Sequence, residues 1–255
     1  MKLLFIGDTV GRNGCDYLFY NLRKIKEKHG ADITVINGEN AHEHNGIDEK
    51  TAETIFNAGA DIITTGNHCF RQKGFNNLFE HTANLLRPAN FPDGNPGRGV
   101  CTINVNGFKI AVINMLGTVF MSPLDNPFTT AERIIKTLDT KNIFIDFHAE
   151  ATAEKKTFAF TQDGLVTAVI GTHTHVQTAD EQILPNGTAY ITDAGMCGTE
   201  NSVLGMDIKT SVQKIRYHTP VSYAEAQGTS FCNGVIIDFN PETGKAKSIK
   251  RIVEH

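Results

Sequence analysis

Residues 33–40, Ile-Thr-Val-Ile-Asn-Gly-Glu-Asn, begin with an apolar run that passes directly into a glycine, a carboxylate and an amide. A run this short, rich in β-branched residues, predicts a buried strand. Similar runs lie on either side, at Lys2–Ile6 and Asp61–Thr65. Two amphipathic segments separate the three runs and predict helices at about Asn13–His29 and Asp48–Ala58. This β-α-β-α-β order predicts parallel strands in an α/β protein.

The second half of the chain is richer in predicted strands. Asn106-Gly107, between the runs Val100–Val105 and Phe108–Asn114, predicts a two-residue hairpin. Further strands are predicted at Asn142–Phe147, Val166–Ile170, Ala189–Asp193, Cys232–Phe239 and Ala246–Ile252, and further helices at Lys73–His81, Thr130–Leu138, Thr152–Phe160 and Asp207–Ile215. No repeat, low-complexity tract or linker interrupts this order. We therefore expect one domain, residues 1–255, with two packed mixed β-sheets and helices outside.

Composition excludes several classes of function. The 24 Lys+Arg and 28 Asp+Glu residues give a formal charge of -4, so we expect no extended nucleic-acid binding. No apolar stretch approaches the roughly 18 residues of a membrane span, and we expect a cytoplasmic protein. The five cysteines are never spaced Cys-x-x-Cys, which argues against a thiolate zinc site and fits a reducing cytosol. A homo-oligomer remains open.

Groups that bind metal ions follow five of the predicted strands directly. They are Gly7-Asp8, Gly38-Glu39-Asn40, Gly66-Asn67-His68, His148 and Gly171-Thr172-His173-Thr174-His175. Because functional groups gather beyond the carboxyl ends of strands in open α/β sheets, we expect the five to converge. The glycines would let the backbone turn sharply or approach an ion closely. Each piece alone also fits a plain turn or a structural histidine, but the repeated order indicates a metal site.

The order of these ligands resembles that of the calcineurin-like metallophosphoesterase superfamily. Its members carry an early Asp, a Gly-Asp pair, Gly-Asn-His, a lone His and Gly-His-x-His. Two departures stand out: Asp8-Thr9-Val10 replaces the usual Asp-x-His, and Glu39 replaces the usual bridging Asp. The YmdB-like phosphodiesterase subfamily shares both departures, and the whole chain resembles it. The matching strings are Asn37–Asn40, Arg87–Pro92, Phe144–Ala151 and Gly171–Thr178.

This resemblance implies a four-layer α-β-β-α sandwich and a site with two metal ions, often iron, that hydrolyses 2′,3′-cyclic nucleotides. Carried over by position, one ion would be held by Asp8, Glu39, Asn40 and His175, and the other by Glu39, Asn67, His148 and His173. Glu39 would bridge the two ions. Oxygen and imidazole donors without a thiolate suit iron, manganese or zinc, and the residues do not choose among them.

The expected reaction uses a water activated by the metal pair as the nucleophile on a small phosphodiester. His68 cannot easily share a metal with the adjacent Asn67, so we predict that it is the general acid, contributing roughly 10²–10⁴-fold. The alternative is that His68 orients a ligand. Asp146, two residues before His148, is predicted either to orient a ligand or to be structural.

Two other functions fit the same residues. One is a phosphomonoesterase or nucleotidase with the same metal site, and the other is a non-catalytic metal-binding regulatory protein. Two loops also have two interpretations each. The turn Gly11–Gly14 opens a helix whose amides could hold phosphate, although a plain tight turn is the first interpretation. The segment Met196–Met206 is either a lid over the site or a surface connection.

Overall fold

Two mixed β-sheets packed face to face form the centre of the molecule in the computed structural model, which describes residues 1–255. The first sheet contains β1 (Lys2–Ile6), β2 (Asp8–Thr9), β3 (Ile33–Asn37), β4 (Ile62–Thr64), β11 (Met196–Thr199), β12 (Ser230–Phe239) and β13 (Ala246–Glu254). The second contains β5 (Val100–Val105), β6 (Phe108–Leu116), β7 (Asn142–His148), β8 (Ala168–Thr172), β9 (Gln182–Ile183) and β10 (Ala189–Ile191). The helices are α1 (Gly11–His29), α2 (Glu49–Ala58), α3 (Phe75–His81), α4 (Pro127–Ile135), α5 (Thr152–Thr161) and α6 (Ile208–Tyr217).

Each sheet contains a set of adjacent parallel strands. In the first sheet the order is β2-β11-β12-β1-β3-β4, with β13 paired to β12, and β1, β3 and β4 are mutually parallel as predicted. In the second the order is β5-β6-β7-β8-β10-β9, with β6, β7, β8 and β10 parallel. The carboxyl ends of these parallel strands therefore lie together at one edge of each sheet.

Three apolar clusters show the layering. One lies between the sheets and contains Phe5 and Val35 from the first together with Val112 and Ile170 from the second. Another packs α1, α2 and α3 on the outer face of the first sheet, and the third packs α4 and α5 on the outer face of the second. The fold is thus the predicted α-β-β-α sandwich. None of the six helices is both long enough and apolar enough to cross a bilayer.

Local sequence signals explain several element boundaries. The predicted hairpin is confirmed: Asn106 and Gly107 both have positive φ, and the flanking strands pair antiparallel. The Asp48 side chain accepts a hydrogen bond from the Thr51 amide and caps α2. Our prediction for α4 was wrong at its start. The helix begins at Pro127 rather than Thr130, because the Asn126 side chain caps it.

Three short strands, β2, β9 and β11, were not predicted from the sequence. Each is two to four residues long, too short to show a period. The error matters most for Met196–Met206, which we had taken as one loop. Its first part, Met196–Thr199, is the buried strand β11, which pairs with β2 and β12.

Candidate metal centre

The seven predicted metal ligands lie together where strands of both sheets end. We call them the donor cluster: Asp8, Glu39, Asn40, Asn67, His148, His173 and His175. Asp8 lies in β2, which follows β1 after Gly7, and Glu39 and Asn67 follow β3 and β4. His148 is the last residue of β7, and His173 directly follows β8. The two sheets therefore contribute to one site from opposite sides of the sandwich.

Close contacts divide the donor cluster into two halves. His148 Nε2 lies 3.0 Å from His173 Nδ1 and 3.2 Å from Asn67 Oδ1. In the other half, His175 Nε2 lies 3.1 Å from Asn40 Nδ2 and 3.8 Å from Asp8 Oδ1.

Two atom pairs connect the halves. Glu39 Oε1 lies 3.7 Å from His148 Nε2, and Asp8 Oδ1 lies 3.7 Å from His148 Nδ1. Residues up to 165 positions apart in sequence are thus within contact distance of one another.

Two carboxylate oxygens of the donor cluster are buried without any hydrogen-bond partner. They are Asp8 Oδ1 and Glu39 Oε2, on residues that are 0% and 1% exposed. A buried acceptor without a donor costs about 1–3 kcal/mol, and more when it is charged. Such atoms are rare in folded proteins unless a ligand or ion satisfies them.

The pKa values of the donor cluster follow from this burial. Burial first, and then the charges of Asp193, Asp146 and Glu39, raise the pKa of Asp8 well above its usual value. Burial lowers the pKa of His148 and His173, and it lowers that of His175 to about 4. The three imidazoles are therefore neutral at pH 7 and keep a lone pair for a cation.

The donor set fits a transition-metal ion by its chemistry. Carboxylate, amide and imidazole donors without a thiolate suit iron, manganese or zinc. A cation would also partner the two unsatisfied oxygens. No three His, Cys, Asp or Glu side chains surround a common point at the distances of metal ligands. The donor side chains contact one another directly. The unsatisfied oxygens and the neutral imidazoles are the features of the donor cluster that suit a cation.

The backbone between the two last histidines is held in a rarely adopted conformation. His173 and His175 have φ values of 99° and 64°, in the left-handed region that non-glycine residues seldom occupy. The His173 amide donates to Asp8 Oδ2 at 3.0 Å. The Thr174 amide and hydroxyl donate to Asp193 Oδ2 at 3.0 and 2.7 Å. These hydrogen bonds hold both imidazoles toward the cluster.

The glycines at the strand ends serve a different purpose from the one expected. Neither Gly7 nor Gly66 has positive φ. A Cβ atom on Gly66 would collide with the His148 ring, and one on Gly7 would collide with the Gly195 carbonyl oxygen. These glycines are needed because other segments approach the backbone closely.

His68 borders the donor cluster and also faces a cavity of about 550 Å³. Its Nδ1 lies 3.0 Å from Glu39 Oε1 and 3.2 Å from Asn40 Oδ1, and its amide donates to Glu39 Oε1 at 2.7 Å. These contacts fix the ring and leave Nε2 as the nitrogen away from the cluster. The side chain is 26% exposed, so a small molecule can reach it.

A second group of buried polar side chains lies within two residues of the strand ends and on the neighbouring α5. We call it the support layer: Asn37, Thr64, Asp146, Lys155, Thr172 and Asp193. Asp146 accepts hydrogen bonds from Asn37 and Thr64 of the first sheet and from Thr172 of the second. Burial raises the pKa of Asp146 to about 7, although these three hydrogen bonds oppose the rise.

Thr172 connects Asp146 to the donor cluster. Its hydroxyl donates to Asp146 Oδ1 at 2.7 Å, so it accepts from His148 Nδ1, 2.9 Å away. With its proton on Nδ1, His148 presents the Nε2 lone pair to the cluster. Asp146 thus orients a donor imidazole through Thr172, the first of the two roles predicted for it.

The ion pair between Lys155 and Asp193 was not predicted from the sequence. Lys155 Nζ lies 2.9 Å from Asp193 Oδ2, and both residues are fully buried. The predicted strand Ala189–Asp193 ends at Asp193. A polar residue at the end of an apolar strand was the pattern that identified the donor cluster, so the same pattern could have identified Asp193. Lys155 gives no signal, because it is one of two adjacent lysines in an ordinary helix.

The structure also bears on the two loops with two interpretations. The Arg12 and Asn13 amides donate to the Glu225 carboxylate at 3.3 and 2.8 Å, so the protein itself occupies the helix start proposed for phosphate. After β11, Val203, Leu204 and Met206 line the cavity beside His68.

The chain shares its fold with phosphoesterases of known structure. A calcineurin-like phosphoesterase from Bacillus subtilis superimposes with a TM-score of 0.62 at 12% identity, covering 100% of this chain and 90% of that one. More specifically, the chain belongs to the YmdB-like protein family, whose sequence model matches residues 4–252. The suspected resemblance is thereby confirmed.

Two similar proteins have names that indicate an activity. A Bacillus subtilis protein named 2′,3′-cyclic-nucleotide 2′-phosphodiesterase is 46% identical over 255 residues, covering 99% of this chain and 97% of that protein. A crystal structure of a novel phosphatase from Mycoplasma pneumoniae has a TM-score of 0.93 at 35% identity, covering 100% and 94%. The chain is accordingly a phosphoesterase, a hydrolase of phosphate esters.

Proposed function

We propose that the chain is a metal-dependent phosphodiesterase acting on small phosphodiesters, with 2′,3′-cyclic nucleotides as its substrates. The Bacillus subtilis relative named for this activity supports the choice of substrate. The observation that carries the metal dependence is the pair of unsatisfied buried oxygens, Asp8 Oδ1 and Glu39 Oε2, among neutral imidazoles.

Two ions would be held, one by Asp8, Glu39, Asn40 and His175 and the other by Glu39, Asn67, His148 and His173. The close contacts support this division, because they group His175 with Asn40 and His148 with His173 and Asn67. When bound, a pair of iron, manganese or zinc ions lowers the pKa of a water molecule and neutralises charge on a phosphate.

His68 is proposed as the general acid that protonates the leaving oxygen. Its ring is fixed by Glu39 and Asn40 and lines the cavity next to the cluster, as a proton donor to a bound ester must. A His68→Ala protein should lose roughly 10²–10⁴-fold in kcat while keeping its metal. His81→Ala, at an exposed side chain at the end of α3, is the control. Full turnover by His68→Ala with full metal would end this assignment.

The metal site is tested with Glu39→Gln. Elemental analysis of the purified protein should show that one or both ions are lost, and hydrolysis of 2′,3′-cyclic AMP should be lost with them. The matched control is Glu43→Gln on the same loop, where the carboxylate is 65% exposed. Retained activity in Glu39→Gln would contradict a bridging role for this carboxylate.

A phosphomonoesterase is the second candidate, and the Mycoplasma pneumoniae relative named a phosphatase favours it. The wild-type protein should be assayed on 2′,3′-cyclic, 3′,5′-cyclic and monophosphorylated nucleotides. Preference for the 2′,3′-cyclic esters supports the first proposal, and preference for monoesters supports the second. Bound metal without turnover on any of them would support a non-catalytic regulatory protein.

A further inference from the structure

The cavity beside the donor cluster has two chemically different walls. On one side lie Asn40, His68, His173 and His175. The opposite wall belongs to the segment between β11 and β12, Glu200–Thr229, which we call the β11–β12 segment. A volume of about 550 Å³ lies in the range of small-molecule sites, about 300–1,000 Å³.

The β11–β12 segment is anchored to the site at both of its ends. Near its start, the Leu204 carbonyl oxygen lies 3.3 Å from His175 Nδ1. Near its end, the Glu225 carboxylate accepts from the first amides of α1, and Asn13 Nδ2 donates to the Ala226 carbonyl at 2.8 Å. Its distance from the donor cluster is therefore fixed by hydrogen bonds.

The wall that this segment forms is mostly apolar. Leu204, Ile215, Val221 and Tyr223 line the cavity, and Leu204 and Ile215 are 46% and 68% exposed. A phosphate does not bind well to such a surface, on which Lys214 is the one charged side chain. A planar, weakly polar ring does, because it can stack on an aromatic side chain and cover aliphatic ones.

One polar group in this wall lacks a partner. Ser211, on α6, is 3% exposed and lines the cavity, and its hydroxyl makes no hydrogen bond within the protein. A buried hydroxyl without a partner is costly, so a ligand that supplies one is expected.

We infer that the β11–β12 segment binds the nucleobase of the substrate, with the Tyr223 ring stacked on the base and Ser211 hydrogen-bonded to its polar edge. This inference rests on the proposed function, which places the phosphate at the donor cluster across the same cavity. Specificity for nucleotides over other phosphodiesters then comes from this segment rather than from the metal ligands.

The test compares two substrates with the same reacting ester: adenosine 2′,3′-cyclic phosphate and ribose 2,3-cyclic phosphate, which lacks the base. The measured quantity is the ratio of KM for the base-free ester to KM for the nucleotide. In the wild type this ratio should be about 5 to 100, the range of one stacked base. Tyr223→Leu should lower the ratio toward 1 through a higher KM for the nucleotide.

Two further variants separate stacking from general disturbance of the segment. Tyr223→Phe keeps the ring and should recover most of the nucleotide affinity lost in Tyr223→Leu. Tyr217→Leu alters a 60% exposed tyrosine at the end of α6, away from this cavity, and should keep the wild-type ratio. Ser211→Ala should lower the ratio by about threefold to tenfold, the value of one hydrogen bond.

The outcomes distinguish this inference from the function on which it rests. A wild-type protein that hydrolyses both esters with equal KM overturns the base site and leaves the phosphodiesterase intact. A ratio unchanged in both Tyr223→Leu and Ser211→Ala places the base elsewhere and overturns the inference as well. Hydrolysis of neither ester overturns the proposed function together with the base site.

Discussion

The donor cluster and the support layer are neighbouring sets of buried polar side chains, yet their hydrogen bonding differs. In the support layer both oxygens of Asp146 and both oxygens of Asp193 have donors. In the donor cluster, Asp8 and Glu39 each have one buried oxygen without a donor. Satisfied buried groups fix the structure, whereas unsatisfied ones raise the energy of the protein until something binds.

The two sets also differ in what their contacts connect. Asp146 joins the two sheets through Asn37, Thr64 and Thr172, and Asp193 joins α5 to the turn that carries the last two histidines. The donor cluster instead brings carboxylates close to imidazoles that burial keeps neutral. The hydrogen bonds of the support layer thus keep the carboxylates and neutral imidazoles of the donor cluster close together, although this arrangement is unfavourable by itself.

The largest expected effect comes from Asp8→Asn. Metal affinity should fall by more than about 100-fold, because losing even a residue that only orients a ligand costs 10–100-fold. The metal-free variant should nevertheless have a higher Tm than the metal-free wild type, since a buried carboxylate near Asp193, Asp146 and Glu39 is removed. Elemental analysis and thermal unfolding in chelator measure the two effects. A lower Tm of the metal-free variant would mean that Asp8 stabilises the metal-free protein, which contradicts the contrast between the donor cluster and the support layer.

Lys155→Met should give the largest loss of stability. It removes one partner of a buried ion pair and leaves Asp193 without its cation, which costs about 3–5 kcal/mol of unfolding free energy. Urea unfolding of the metal-free protein measures the loss. The adjacent exposed Lys156 supplies the control, Lys156→Met, which should stay near wild type. Equal stability of the two variants would show that this ion pair does not hold the support layer.

Asp146→Asn should have a smaller effect. The new amide group would face donors from Asn37 and Thr64, at a cost of about 1–3 kcal/mol in unfolding free energy. Metal affinity should also fall about 10–100-fold, because the mispaired side chain would shift Thr172, whose hydroxyl positions the His148 ring. The control is Asp139→Asn, at a side chain that is 92% exposed. Unchanged metal affinity would mean that His148 is oriented without Asp146.

The same comparison explains what the sequence could predict. Each member of the donor cluster lies at the end of an apolar strand or within three residues after it, so local pattern and the geometry of parallel sheets were enough to predict that these segments converge. Which of their side chains are metal ligands was implied by the family resemblance. The layers of the fold were predictable for the same reason. Strands β2 and β11 were not, because pairing between two very short segments leaves no periodic signal.

The support layer was harder to predict because its partners are defined only in three dimensions. Lys155 and Asp193 are 38 residues apart. Outside the support layer, Glu225 accepts from the Asn13 amide at the start of α1, 212 residues away. Neither contact follows from composition or spacing. Asp180 is a further example, a carboxylate in the loop after the last donor histidine with no strand before it.

Asp180 offers the smallest and most pH-dependent test. Burial alone would raise the pKa of Asp180, but hydrogen bonds from Thr178 and Thr192 outweigh it and hold that pKa below the usual 3.8. A lowered pKa in the folded state means that the carboxylate stabilises the protein above pH 3.8 and loses this effect as pH falls through the folded value.

Asp180→Asn should therefore cost about 1 kcal/mol at pH 7, and the difference from wild type should shrink below about pH 4. Chemical unfolding of both proteins between pH 7 and pH 3 measures this difference in unfolding free energy. The contributions of titratable groups that both proteins share cancel in the difference. Asp8, whose pKa burial raises, must instead stabilise the metal-free protein most when it is protonated. A difference between Asp180→Asn and wild type that grows toward low pH would contradict the lowered pKa of Asp180.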